Sequence, residues 1–102
     1  MEQIGIGTEL KINVHIEPIG DLHMSDYDFS VRFYTKSGSP TVSIDKSEMR
    51  EVDADNYIAF VETSGMTAGV VQMVVKALIP DADSADGYRT EVTPPIITDI
   101  ML

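Results

Sequence analysis

Two stretches of the chain alternate between apolar and polar residues, one over residues 10–17 and the other over residues 27–35. A period of two is typical of a β-strand with one buried face, because successive side chains of a strand point to opposite sides. The sequence therefore predicts two strands whose core-facing residues are Leu10, Ile12, Val14, Ile16, Tyr27, Phe29, Val31 and Phe33.

The longest apolar run covers residues 69–79 and is long enough for a short helix. Four valines and one isoleucine lie within it. Such β-branched side chains lose rotamer freedom in a helix and pack well on a pleated sheet. We therefore predict a long strand that places one set of alternating residues on a common face, namely Val71, Met73, Val75, Ala77 and Ile79.

Shorter segments with strand composition complete the pattern, and they cover residues 41–44, 49–52, 57–61, 88–92 and 96–102. Glycine, proline and aspartate separate the segments, and no stretch favours a stable helix. Short strands with turn signals roughly every eight to twelve residues are typical of a β-sandwich. The sequence predicts one all-β domain over residues 1–102, an immunoglobulin-like β-sandwich of about seven or eight antiparallel strands.

Composition narrows the classes of partner. The chain has 17 acidic and seven basic residues, a formal net charge of −10, and no cysteine. Such a surface repels phosphate groups, so we expect no nucleic-acid partner and no binding to anionic membranes. The first residues lack the basic start and apolar core of a secretory signal, and no apolar run is long enough to span a bilayer. We therefore expect a cytoplasmic protein, or one carried in a virus particle.

The acidic stretch PDADSADGYRTE, which begins at Pro80, has some features of a calcium-binding loop. A helix-loop-helix calcium site needs an oxygen ligand at its fifth position, and counting from Asp81 places Ala85 there. We therefore predict an acidic turn without a metal ion, and Asp81, Asp83 and Asp86 are only weak candidate ligands. A calcium-dependent adhesive domain remains an alternative if other loop carboxylates lie nearby.

Catalytic chemistry has little support in the sequence. His15 and His23 are the only histidines, and we expect both to be solvated, because a zinc site needs three or four protein ligands. No nucleophile motif or phosphate-binding loop is present. We expect no enzyme activity and no cofactor. Tyr34 and Tyr88 are weak candidates for binding a carbohydrate or another small ligand, although tyrosine in a strand more often packs against its neighbours.

The C-terminal segment is the clearest candidate for association. It is rich in large apolar residues and carries a single charge. A strand of this kind on a free sheet edge would pair with another chain. The segment is therefore buried in its own sandwich, or it binds a protein partner or a second copy. The candidate residues are Ile96, Ile97, Ile100, Met101 and Leu102.

The order of the segments GTELKINVHI, YDFSVRFYTKSGSPTVSI and DNYIAFVETSGMTAGVVQMVVKALIPDADSADGYRTEV supports this interpretation. It resembles the small immunoglobulin-like domains of phage baseplate and tail-fibre proteins, such as the N-terminal domain of baseplate upper proteins. It is also similar to short uncharacterised proteins of Bacteroides-type bacteria and their prophages. The resemblance implies a non-catalytic structural or interaction role, with a carbohydrate-binding or other small-ligand module as the alternative.

Overall fold

The computed structural model describes residues 2–36 and 38–102. Within them the chain forms nine β-strands and two single-turn 3-10 helices, and none of the described residues forms a helix long and apolar enough to cross a membrane. The predicted all-β fold is confirmed. The strands are β1 Glu2–Gln3, β2 Glu9–His15, β3 Asp28–Tyr34, β4 Val42–Asp45, β5 Arg50–Asp53, β6 Asn56–Glu62, β7 Val70–Pro80, β8 Tyr88–Val92 and β9 Ile96–Met101; the 3-10 helices are Met24–Asp26 and Lys46–Glu48.

The strands lie in two sheets. The larger sheet has the order β1-β9-β7-β3-β4, with β8 also paired to β7, and the smaller sheet has the order β2-β6-β5. The described strand pairs are antiparallel except for β1 with β9, which are parallel. The sheets share one hydrophobic core, so the architecture is a β-sandwich.

Strand β7 organises the larger sheet because both of its edges are occupied. One edge pairs with β3 along seven residue positions, and the other pairs first with β9 and then with β8. Between β8 and β9 the chain passes Pro94 and Pro95, which have no N–H to donate. Thr93 keeps contact with β7 there: its N–H donates to the Val75 carbonyl at 2.9 Å, and its Oγ1 accepts from the Val75 N–H at 3.0 Å.

The core contains the residues that the alternating pattern selected. Of the residues predicted to face it from the first two strands, only Ile16 is half-buried and the others are buried. The prediction of a strand for the valine run is also confirmed, and Val71, Val75, Ala77 and Ile79 are buried in the shared core with Met73 packed against them. Two features had no signal in the sequence: the two-residue strand β1, and the division of one edge of β7 between β8 and β9.

The connection from β6 of the smaller sheet to β7 of the larger sheet depends on Gly69. Its backbone exchanges two hydrogen bonds with Leu102, at 2.9 and 2.8 Å. Its φ is +141°, and a Cβ added there would lie 3.3 Å from Thr35 Cβ. This conformation is costly for a residue with a side chain.

Replacing Gly69 with alanine is expected to lower the free energy of unfolding by about 1–3 kcal/mol, because the substitution forces a strained backbone conformation. Gly65→Ala is the matched control, since an added Cβ at Gly65 meets nothing within 4 Å. Urea denaturation of both variants measures the difference. Equal stability of the two variants would contradict the role assigned to Gly69.

Candidate interaction surface

The outer face of the larger sheet exposes apolar side chains along β8 and β9. Residues directly opposite each other in a sheet share a face. Val92 lies opposite Lys76, Tyr88 opposite Pro80, and Ile97 opposite Gln72, so all three project away from the core. Their exposed fractions are 53% for Tyr88, 59% for Val92 and 70% for Ile97. These three residues are called the edge patch below.

The edge patch is a row of exposed residues along one edge of the larger sheet, in which Tyr88, Val92 and Ile97 follow one another at intervals of four positions of β7. Six large hydrophobic residues are exposed in the described part of the chain, and three of them belong to the patch. The others include Ile6, in the connection before β2, and Val52, on β5 of the smaller sheet. Apolar groups gathered on one face of a small protein mark a site of association more often than isolated ones do.

A groove runs beside the edge patch along the outer side of β3. It consists of three adjoining cavities of about 300, 170 and 130 Å³. The first two share Arg32, and the second and third share Ser30 and Lys76. Val74 lines the middle cavity with Val92 and is only 7% exposed, although it lies on the outward side of β7. This continuous depression is called the β3 groove.

The first two cavities of the β3 groove are lined by basic side chains that have no ion-pair partner among the described residues. These side chains are Arg32, Lys36 and Lys76. They are three of only seven basic residues in a chain with 17 acidic ones. Asp28 and Asp45 line the third cavity, so the local exception to the negative surface is the part of the groove around Arg32 and Lys36.

The acidic residues concentrate at one end of the sandwich. The strand registers bring together four connections there, residues 16–27, 45–49, 53–56 and 81–87. These connections hold ten of the 17 acidic residues. The connections at the opposite end, residues 4–8, 35–41 and 63–69, hold no acidic residue. The connections at the two ends therefore differ strongly in negative charge, and the two ends are called the acidic end and the opposite end.

The acidic stretch forms the loop between β7 and β8, and its carboxylates mainly bind the loop itself. Asp81 Oδ1 accepts a hydrogen bond from the Asp83 N–H at 3.0 Å, and Asp86 Oδ1 accepts one from the Tyr88 N–H at 3.2 Å. Asp81 Oδ2 also lies 3.7 Å from Arg89 Nη1. Within the described residues no three histidine, aspartate or glutamate side chains are arranged to hold a metal ion. The absence of a bound metal stays a prediction.

The two histidines lie at the acidic end and contact the turn between β5 and β6. His23 Nδ1 lies 2.8 Å from Asp55 Oδ2, and His15 Nδ1 lies 2.9 Å from the Asp55 carbonyl oxygen. His15 Nε2 also lies 3.2 Å from Glu17 Oε1. Both rings are partly exposed. These contacts had no signal in the sequence, because Asp55 is far from both histidines along the chain.

The structure separates the two tyrosines that were candidates for ligand binding. Tyr34 lies opposite Gln72 and Tyr88 lies opposite Pro80, so eight positions of β7 separate them. At about 3.3 Å per residue this is roughly 26 Å, and one small ligand cannot contact both rings. Tyr57 is buried, and its hydroxyl donates to Glu51 Oε1 at 2.7 Å. Burial and this hydrogen bond raise the pKa of Tyr57 to about 12.

The candidate association residues of the C-terminal segment divide between the core and the surface. Leu102 is buried, and Ile100 packs against the core. Ile100 and Met101 are flanked by β7 on one side and by β1 on the other. Ile97 is the most exposed of the set, and Ile96 is 39% exposed. Association through this segment therefore has only Ile97 and Ile96 as accessible apolar groups, and it stays a prediction.

Comparison with protein-family models, with curated proteins and with solved structures gave no match. The strand order, the edge patch and the charge distribution are therefore the observations from which a function is inferred.

The contact between His23 and Asp55 makes stability depend on pH. The hydrogen bond that the His23 ring donates to the Asp55 carboxylate, followed by the charge of that carboxylate, raises the pKa of His23 above 6.5. A raised folded-state pKa stabilises the fold fully below about pH 6.5, and this contribution is lost as the pH rises through the folded-state pKa.

We expect Asp55→Asn to return the pKa of His23 toward 6.5 and to leave the pKa of His15 raised. The reason is that the pKa of His15 is raised first by Glu17 and then by the Asp55 backbone carbonyl, which the substitution keeps. An NMR titration of the two imidazole rings measures both values. A pKa of His23 that does not respond to the substitution would contradict the assigned contact.

Proposed function

We propose that this chain is a non-catalytic interaction module with an immunoglobulin-like β-sandwich, and that it binds another protein through the edge patch. The strand order supports the immunoglobulin-like assignment. The order β2-β6-β5 corresponds to strands B, E and D of that fold, and β9-β7-β3-β4 corresponds to G, F, C and C′. The single observation that carries the function is the exposure of Tyr88, Val92 and Ile97 on one face.

Burial of the edge patch would supply much of the energy for a modest complex. A fully buried large apolar side chain contributes on the order of 1.5–3 kcal/mol. More than half of each patch residue is exposed in the free protein. Covering all three residues would therefore contribute a few kcal/mol, before the cost of immobilising the two partners.

The backbone beside the patch adds a second means of association. Strand β8 pairs with β7, and no described strand pairs with its other edge. Unpaired N–H and C=O groups on an edge strand bind an added strand from a partner. Pro94 and Pro95 limit such pairing to β8 itself, because proline donates no hydrogen bond. The proposed contact is thus short and combines backbone pairing with the apolar patch.

We propose that the chain acts in a phage or prophage virion, as a tail or baseplate protein. This role is supported by the resemblance of the strand order and turns to small domains of such proteins. The two alternatives have less support in the geometry. Tyr34 and Tyr88 lie too far apart to bind one sugar, and the carboxylates of Asp81 and Asp86 are engaged within their own loop.

Placing a photo-crosslinking amino acid at Ile97 tests the proposal in cells that produce the protein. We expect a discrete crosslinked product at position 97, because the partner covers the edge patch. Mass spectrometry of the product identifies the partner, including a second copy of the chain.

Val52 is the matched control position, because it is comparably exposed but lies on the smaller sheet. It should give no product. A Val92→Lys substitution should suppress crosslinking from position 97, since the charged group cannot be buried in the contact. Equal crosslinking from positions 97 and 52, or none from position 97, would contradict the proposed function.

A further inference from the structure

We propose that copies of this chain associate head to tail, with the acidic loop Asp81–Gly87 of one copy bound in the cationic part of the β3 groove of the next. This inference rests on the proposed function, because it names a second copy as the partner of an association module. It goes beyond that function by assigning a second surface and a polarity to the assembly.

The receiving site is the largest cavity of the β3 groove, of about 300 Å³. Arg32 and Lys36 provide its charge, and Tyr34 and Thr41 provide further polar groups. Ser39 fixes the shape of the adjoining turn, because its Oγ accepts a hydrogen bond from the Lys36 N–H and donates one to the Lys36 carbonyl. An arginine without an ion-pair partner is well suited to bind a carboxylate, since its guanidinium donates two parallel hydrogen bonds.

The entering loop has a defined shape before it binds. The Asp81 N–H donates to the Gly87 carbonyl at 2.9 Å, and two further backbone hydrogen bonds of 3.1 Å join Ser84 to Asp81 and to Gly87. The Asp83 carboxylate makes no hydrogen bond or ion pair with another described residue. A preformed loop with a free carboxylate at its tip loses little conformational entropy on binding.

The positions of the two surfaces determine the geometry of the assembly. The loop lies at the acidic end, and the cavity lies toward the opposite end of the same sheet. A contact between two different surfaces of one molecule is heterologous, so it continues into a ring or an open chain.

The net charge of −10 opposes the approach of two copies but does not prevent this contact. At an ionic strength of about 0.1 M the Debye length is roughly 10 Å, so charges distributed over the whole molecule are largely screened from each other. Carboxylate and guanidinium groups in direct contact are much less affected. The local attraction between the loop and the groove therefore decides the outcome at moderate ionic strength.

A charge exchange between the two surfaces tests the inference in sedimentation velocity experiments on the full chain. Wild-type protein should form species larger than a dimer as its concentration rises. Arg32→Glu and Asp83→Lys should each weaken association at least about tenfold. The double variant R32E/D83K should regain association, because it restores an opposite-charge pair with the polarity reversed.

Control variants separate this contact from a general effect of charge. Lys11→Glu and Glu9→Lys change the net charge by the same amounts on β2 of the smaller sheet, and both should associate as the wild type does. Circular dichroism checks that each variant is folded. A monomeric wild-type protein, single variants that associate normally, or a double variant without recovery would each overturn the inference.

The outcome also separates this inference from the proposed function. A monomeric protein that still crosslinks from position 97 to a different protein would overturn head-to-tail association and support the function. A protein that associates through the charged surfaces but gives no crosslink from position 97 would support this inference and contradict the role of the edge patch.

Discussion

Strand β7 is the constraint on which the rest of the structure depends. Its inward side chains form a large part of the shared core, and its two edges hold β3 on one side and β8 and β9 on the other. Because the strand is 11 residues long, it spans the sandwich from the opposite end to the acidic end. The edge patch, the β3 groove and the acidic loop are all placed by their registers against this one strand.

At the acidic end, the Lys46 side chain packs against aromatic residues of the core. Lys46 Nζ donates to the Tyr27 carbonyl at 2.8 Å and lies 5.8 and 5.9 Å from the rings of Phe29 and Tyr57. A cation at such a distance is attracted to the ring faces. Lys46 lies in the connection from β4 to β5, so the same contact holds the larger sheet to the smaller one. The opposite end has no comparable charge in its connections other than Lys36, which lines the groove.

Much of the fold could be predicted from the sequence, because the pattern that specifies a strand and its buried face lies within a few consecutive residues. The alternation in residues 10–17 and the valines of residues 69–79 each specify a strand and its buried face without reference to the rest of the chain. The pairing of β1 with β9 could not be predicted, since two polar residues carry no pattern. The candidate site was predictable only in part. Ile97 was predicted to be an association residue, but Val92 was not. The exposure of Val92 follows from its pairing with Lys76, which lies on the outer face of β7.

The charge distribution shows most clearly what the sequence alone does not contain. Ten acidic residues are dispersed over four connections, and only the strand registers bring those connections to one end. The same registers place Arg32 and Lys76 on a common outer face although 44 positions separate them in the chain. A sequence with this composition predicts an acidic surface, whereas the structure has an acidic end and a basic cavity around Arg32 and Lys36.

Hydrogen–deuterium exchange of the full chain at low and high protein concentration tests most directly whether the larger sheet is the surface of association. We expect slower exchange at high protein concentration in residues 81–97 and in residues 32–41, and unchanged exchange in β2 and β5. Slower exchange confined to the smaller sheet would contradict association through the larger sheet. So would exchange that changes neither with protein concentration nor on addition of the partner identified by crosslinking.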